Sequence, residues 1–238
     1  YLTIRNNEAV SLNSIPLLSY DDFLECNTLF LKDFHNHCVS YFGYPEDNKL
    51  KLICCIANDN KSRIKVTSCN MELNTEKSYP SFSAYNLAFN MFEREIAENF
   101  GINYSDHPWL KPLRYSFNRK NKNIGIADYP FYKIESEEIH EVGVGPIHAG
   151  IIEPGHFRFL CKGEQILHLE IQLGYQHRGI ESLFIEKNSL LQKATLAESI
   201  AGDTAVGHST AFANLWESLC GFTADEELNY VRTLALEI

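Results

Sequence analysis

The chain has 238 residues, 45% hydrophobic and 22% charged, with 21 basic against 31 acidic side chains and a formal net charge of -10. That excess of negative charge repels nucleic acid and anionic lipid surfaces, which excludes both as partners. No run approaches the roughly 18 consecutive apolar residues of a membrane span, and the length allows one large or two ordinary domains.

The seven cysteines (Cys26, Cys38, Cys54, Cys55, Cys69, Cys161 and Cys220) are odd in number and irregularly spaced, with no C-x-x-C pair, so reduced thiols in a cytosolic setting are expected. The chain opens on Tyr1 without a basic-then-apolar leader pattern and stops at Ile238 inside a helical pattern, which leads us to expect a fragment.

Residues 20–34 carry apolar side chains at rough helical spacing, with Ser19 or Asp21 able to cap the free amides. Three strand-like runs follow, Val39 to Tyr44, Lys49 to Ala57 and Arg63 to Ser68, separated by polar turns. A helix followed by a meander predicts an α+β fold. His35 and His37 have metal-ligand spacing, but on a strand Cys38 would point to the opposite face, so a solvent-facing role is preferred.

After Pro80 the spacing of Tyr85, Ala88, Phe92, Ile96 and Phe100 predicts a helix over 84–100 ended by Gly101. Glu93, Arg94, Glu95 and Glu98 then fall on the other side, as a solvated face. The stretches SYPSFSAYNLAFNMFEREIAENFGI and HPWLKPLRY resemble the 30 kDa subunit of respiratory complex I and its hydrogenase counterparts. The resemblance implies a structural and interface module without a cofactor of its own. We assign 1–117 to this domain and 118–139, beginning with the polar run NRKNKN, to a linker.

The stretch from Gly143 to Glu181 combines two corners, Gly145-Pro146 and Pro154-Gly155, with His148, His156, His168, His177, Arg158 and Arg178. Gly143, Gly145 and Pro146 read as a breaker cluster that a strand interior would not tolerate. His156 to Cys161 and Ile166 to Leu173 read as a hairpin, and Ile180, Leu183 and Phe184 as a helix start. Residues 190–200 and 209–219 read as packed helices. His168 alternates with apolar residues and is expected on an exposed strand position, and His140 on a charged surface. Arg158 either lines a site or pairs with an acid across the hairpin; Asp203 either titrates in a cavity or caps the following helix.

GPIHAGIIEPGHFRF followed by LGYQHRGIE resembles the N-terminal part of the large subunit of energy-converting, membrane-bound nickel-iron hydrogenases of the formate hydrogenlyase type. It also resembles the 49 kDa subunit of complex I. Residues 140–238 are therefore expected to be the truncated start of such a domain, following the 30 kDa-like one as in fused members of the family. The family's Cys-Gly-x-Cys ligand pair falls on Ala201 and Thr204, and a methyl and a hydroxyl are not the soft anionic donors such a centre needs. The resemblance then implies no nickel-iron centre, no metal and no cofactor on this chain. It implies a cavity lined by His148, His156, Arg158, His177, Arg178, Asp203, Thr204 and His208, where an acceptor is reduced beside an iron-sulfur cluster on a small subunit. Histidines there would relay protons, and Arg178 would favour a reduced acceptor, a quinone or ferredoxin among the candidates. The implied setting is cytoplasmic, on the inner face of the cell membrane through membrane subunits. A non-catalytic scaffold holding the small subunit, and a binding protein without redox role, are the alternatives.

Overall fold

The computed structural model of the chain describes residues 1–73 and 76–238. Two short strands, β1 (Leu2–Ile4) and β2 (Leu17–Leu18), precede helix α1 (Tyr20–Phe30). Ser19 starts that helix: its hydroxyl accepts from the Asp22 N–H at 3.2 Å, and Asp21 and Asp22 favour the positive end of the dipole. The predicted extension to residue 34 does not form, because Asn36 donates its side-chain N–H to the Phe30 carbonyl at 2.6 Å and takes over the helix end.

Strands β3 (Asn36–Glu46), β4 (Lys49–Asn58) and β5 (Arg63–Glu72) form the predicted antiparallel meander and run longer than the apolar patterns suggested. The sheet order is β1-β5-β4-β3, with β2 parallel beside β5. Alternation along β4 sends Leu50, Leu52, Cys54 and Ile56 into the main core, where Phe23, Tyr41, Phe82 and Phe89 pack at ring separations of 5.0–6.0 Å. Each such side chain contributes on the order of 1.5–3 kcal/mol by leaving water. His37 stays exposed beside Asp59, 3.4 Å away, while Cys38 turns into the core.

Strand β6 (Ser78–Pro80) leads to helix α2 (Asn90–Phe100) and strand β7 (Asn103–Ser105). The helix begins at Asn90, not residue 84, because Asn86 is extended (φ -152°) and caps a separate short turn through Ala88 N–H at 3.0 Å. Tyr85 and Ala88 are consequently exposed, and Phe82 and Phe89 take the buried places that periodicity assigned to them. Gly101 closes the helix in the left-handed region (φ 71°), as predicted.

The supposed solvated face of α2 is instead buried in part and fully hydrogen-bonded at Glu93. Glu93 is 0% exposed and Arg94 4%. The Glu93 carboxylate accepts from Ser81 Oγ (2.7 Å), Phe82 N–H (2.7 Å), Ser83 N–H (2.9 Å) and Ser83 Oγ (2.5 Å). Arg94 donates to the Lys111 and Pro112 carbonyls at 2.8 and 2.9 Å, and Glu98 accepts from the Leu113, Arg114 and Tyr115 amides at 2.6–3.1 Å. Buried charges persist only when paired or fully hydrogen-bonded, and here backbone groups of two irregular segments supply the partners. Residues 111–115 are thereby laid as a strap along α2.

The second half opens with β8 (His140–Val144), which pairs with β9 (His156–Lys162), itself paired with β10 (Gln165–Gln172). The predicted hairpin is β9–β10. Gly143 lies inside a strand, contrary to the breaker reading, paired with Arg158 of β9, and a Cβ there would press on the His156 ring at 3.0 Å. His140 is exposed on this strand. An irregularity between Ile166 and His168 shifts the alternation of β10, so that His168, Glu170 and Gln172 face inward while Leu169 and Ile171 face out. His168 is therefore not the exposed strand position expected: it sits between Trp109 and Tyr132, with ring centroids 6.0 and 5.1 Å away. Helices α3 (Ile180–Glu186), α4 (Leu190–Glu198), α5 (Ala205–Cys220) and α6 (Glu226–Glu237) complete the chain. The outer face of the β8–β10 sheet and helices α5 and α6 leave Val142, Val144, Ile171, Leu215, Val231 and Leu234 exposed. Among the described residues no helix is long and apolar enough to cross a membrane.

Replacing Glu93 by Ala would strand two buried amides and two hydroxyls, at a cost of about 3–5 kcal/mol. Urea unfolding should show the loss, and an unchanged midpoint would contradict it.

Candidate functional site

Three groups carry the residues named from sequence. The first is the loop between β8 and β9. Gly145 is at φ +100°, and a Cβ on it would stand 2.4 Å from the Gly155 carbonyl, so the two corners close onto each other only through glycine. His148 Nε2 lies 2.8 Å from that same carbonyl and His156 Nδ1 3.4 Å from the Gly145 carbonyl. A ring nitrogen facing a carbonyl must carry its proton, which fixes the His148 tautomer as Nε2–H. Arg158 pairs with Glu141 and lies over the Phe131 ring, 4.9 Å from its centroid. Its acid partner is on β8, not across the β9–β10 hairpin.

The second group surrounds His177 and Arg178, in the turn between β10 and α3. Gly174 is at φ +105°, and a Cβ there would meet Tyr115 Cδ2 at 3.0 Å and the Leu113 carbonyl at 3.1 Å, so the strap crosses directly over this turn. The junction forms an open cleft of about 380 Å³ whose walls include Arg114, Pro154, Leu173, His177, Arg178 and Glu181, with Ile200 from just after α4. Burial, and then the Arg114 charge, lower the His177 pKa below its ordinary value, leaving an uncharged imidazole at neutral pH.

Arg114 itself was not found by sequence reasoning. Its guanidinium donates to Glu95 of α2 at 2.6 Å and to Glu181 of α3 at 2.8 Å. Burial raises the Glu95 pKa despite that bond. Burial also works against ionised Glu181, but its own backbone N–H and Arg114 outweigh this and hold its carboxyl below the ordinary range. A second link was missed as well: Lys111 donates to Glu170 at 2.5 Å, and the 2%-exposed Glu170 also accepts from the Tyr132 N–H at 2.8 Å. Lys111, Arg114 and the acids of α2 were visible in the sequence, but their partners lie 19 to 67 residues apart along the chain, beyond any periodicity.

The third group opens α5. Thr204, not Asp203, is the residue before that helix; Asp203 lies exposed in the preceding short turn, Gly202–Thr204, and its side chain caps nothing. Thr204 Oγ1 and its carbonyl lie 2.9 and 3.0 Å from His208 Nδ1. Ala201 is half-buried next to Ile200 of the cavity wall. Neither Ala201 nor Thr204 offers a thiolate, and the Thr204 hydroxyl is engaged with His208, so this segment does not fit a nickel-iron pair. Among the described residues no group of three or more His, Cys, Asp or Glu side chains is placed to hold a metal ion. Thus His177 is brought together with Arg178, Thr204 with His208, and His148 with His156; none of the described hydrogen bonds joins one group to another.

Residues 20–121 match the family described as the respiratory-chain NADH dehydrogenase 30 Kd subunit. The clamped strap lies within the matched residues. Along more of its length it is similar to hydrogenase-4 component G of Escherichia coli (32% identical over 132 residues, 56% of this chain and 24% of the relative). It is also similar to formate hydrogenlyase subunit 5 of Escherichia coli (28% over 197 residues, 73% and 35%). A third relative belongs to the NADH-quinone oxidoreductase of Phocaeicola vulgatus (24% over 213 residues, 76% and 40%). The chain is thus homologous to subunits of hydrogenase-related and complex I-like assemblies, and spans only 24–40% of the length of these relatives.

His107, like His177, is lowered by burial, so both bind protons more readily in the unfolded chain. The unfolded state then gains protons first, and stability falls as pH drops below about 6.5, the loss being complete only below the folded values. Urea unfolding from about pH 7.5 to about pH 5 should show this slope, shallower in His177→Gln. An identical slope in the variant would contradict it.

Proposed function

We propose that the chain is a subunit of a membrane-associated, complex I-like or hydrogenase-related oxidoreductase, acting at a cavity that has lost its nickel-iron ligands. On this reading residues 118–139 are the linker and residues 140–238 the N-terminal part of a hydrogenase large-subunit-like or 49 kDa-like domain. The observation that carries the proposal is the cavity at the β10–α3 turn. His177 and Arg178 there face a wall that ends at Ile200, immediately before the residues that replace the thiolates. An imidazole held neutral accepts a proton at its free nitrogen, and a guanidinium beside it stabilises negative charge on a reduced acceptor, the two requirements of electron transfer coupled to proton uptake. The electron would come from an iron-sulfur cluster on a small subunit, this chain binding no cofactor. His148, His156, Arg158, Asp203, Thr204 and His208 complete the cavity when partner subunits close around it, with quinone or ferredoxin as the exchanged carrier. Membrane subunits would hold the assembly at the inner face of the cell membrane.

The test is purification of the tagged chain from native membranes. It should bring an iron-sulfur small subunit and membrane subunits, with nickel well below one per complex. His177→Ala and Arg178→Ala should each lower quinone or ferredoxin turnover by about 10²-fold with the assembly intact. Unchanged turnover in both variants would favour the scaffold alternative, and stoichiometric nickel would overturn the loss of the metal site.

A further inference from the structure

Resting on the reading of the His177 cavity as the working site, we infer that Arg114 is a positioning residue of that site, contributed by the 30 kDa-like domain. The resemblance casts this domain as a structural module, yet its strap forms one wall of the cavity. The route is specific. Glu98 accepts from the amides of Leu113, Arg114 and Tyr115, which fixes the strap backbone at the position of the Arg114 Cα. Glu95, one helical turn earlier on the same face of α2, holds the guanidinium from below at 2.6 Å. The same nitrogen, Nη1, also donates to Glu181 at 2.8 Å, in the first turn of the helix that follows His177 and Arg178. Gly174 admits the strap because it has no Cβ to meet the Leu113 carbonyl.

A single guanidinium nitrogen therefore ties an acid on α2 to one at the mouth of α3. Both acids are partly solvated, with side-chain exposures of 29% for Glu95 and 62% for Glu181, so the pairs add little to folding stability. Their consequence is geometric and electrostatic. With Arg114 present, the Glu181 carboxylate is engaged by a cation, and the Arg114 charge itself opposes protonation of the His177 ring. Without it, the Glu181 carboxylate is released beside the imidazole, and Glu98 is the other acid whose charge reaches it. Both changes favour the protonated ring. Arg114 thus keeps His177 ready to accept a proton, and any movement of the strap would alter that readiness.

The experiment measures the pH dependence of diethylpyrocarbonate labelling at His177, which reports the neutral imidazole and is read by peptide mass spectrometry, on the complex purified through this chain. In Arg114→Gln the midpoint should move to higher pH, and Arg114→Lys, which keeps the charge, should return it most of the way, with unfolding midpoints close to wild type. A merely structural role would shift neither. The same His177 midpoint in all three proteins overturns the inference. The acidic limb of turnover should move in the same direction as the labelling midpoint. A moved midpoint with an unmoved turnover profile would contradict the redox reading of the cavity and leave the assignment of Arg114 standing.

Discussion

The strap at residues 111–115 and the turn it crosses depend on the hydrogen bonds made by the charged face of α2. Glu93, fully removed from water, satisfies the Ser81–Ser83 turn; Arg94 takes two strap carbonyls; Glu98 takes three strap amides. Each contact joins a charge to backbone groups that would otherwise be stranded, and such bonds are about twice as strong as neutral ones. Removing either side leaves an uncompensated buried group, so helix and strap order one another.

The consequence for function is that the two halves of the chain are not merely consecutive. The strap carries Lys111 to Glu170 of the β9–β10 hairpin and Arg114 to Glu181 of α3, on two sides of the turn that holds His177 and Arg178. That turn is polar and glycine-bearing, with Gly174 and Gly179 both in the left-handed region. A clamp reaching across from the first half is what gives it a defined shape. By contrast, the β8–β9 loop is closed by its own glycines, and the Thr204–His208 pair by the start of its own helix. Those two groups need no other part of the chain for their local geometry.

Much of the fold was legible from residues. The meander followed from alternation along β4 and polar turns; the hairpin from two apolar runs around Gly163; the end of α2 from Gly101. Where the reading failed, a local hydrogen bond or a register change overrode periodicity. Asn86 delayed α2, Asn36 shortened α1, and the irregularity at Leu167 turned His168 inward. The α2 acids were misassigned for a different reason: helical periodicity reports which residues are apolar, and a buried polar face looks identical to a solvated one until its partners are known. At the site, the HRGIE segment singled out His177 and Arg178, which line one cavity in the structure. Arg114 was invisible because its importance lies in two acids distant in sequence. Asp203 was singled out by its position beside missing ligands, and folding leaves it exposed and uncapping.

The central claim, that α2 shapes the β10–α3 turn through the strap, is tested most directly by amide hydrogen exchange in the Glu98→Gln chain. This change weakens the acceptor of the 113–115 amides without removing any atom of the turn. The account predicts faster exchange at 113–115 and, in concert, across 174–181, with the β3–β5 meander unaffected. Exchange that quickens only at 113–115, while 174–181 keeps its wild-type rates, would contradict it.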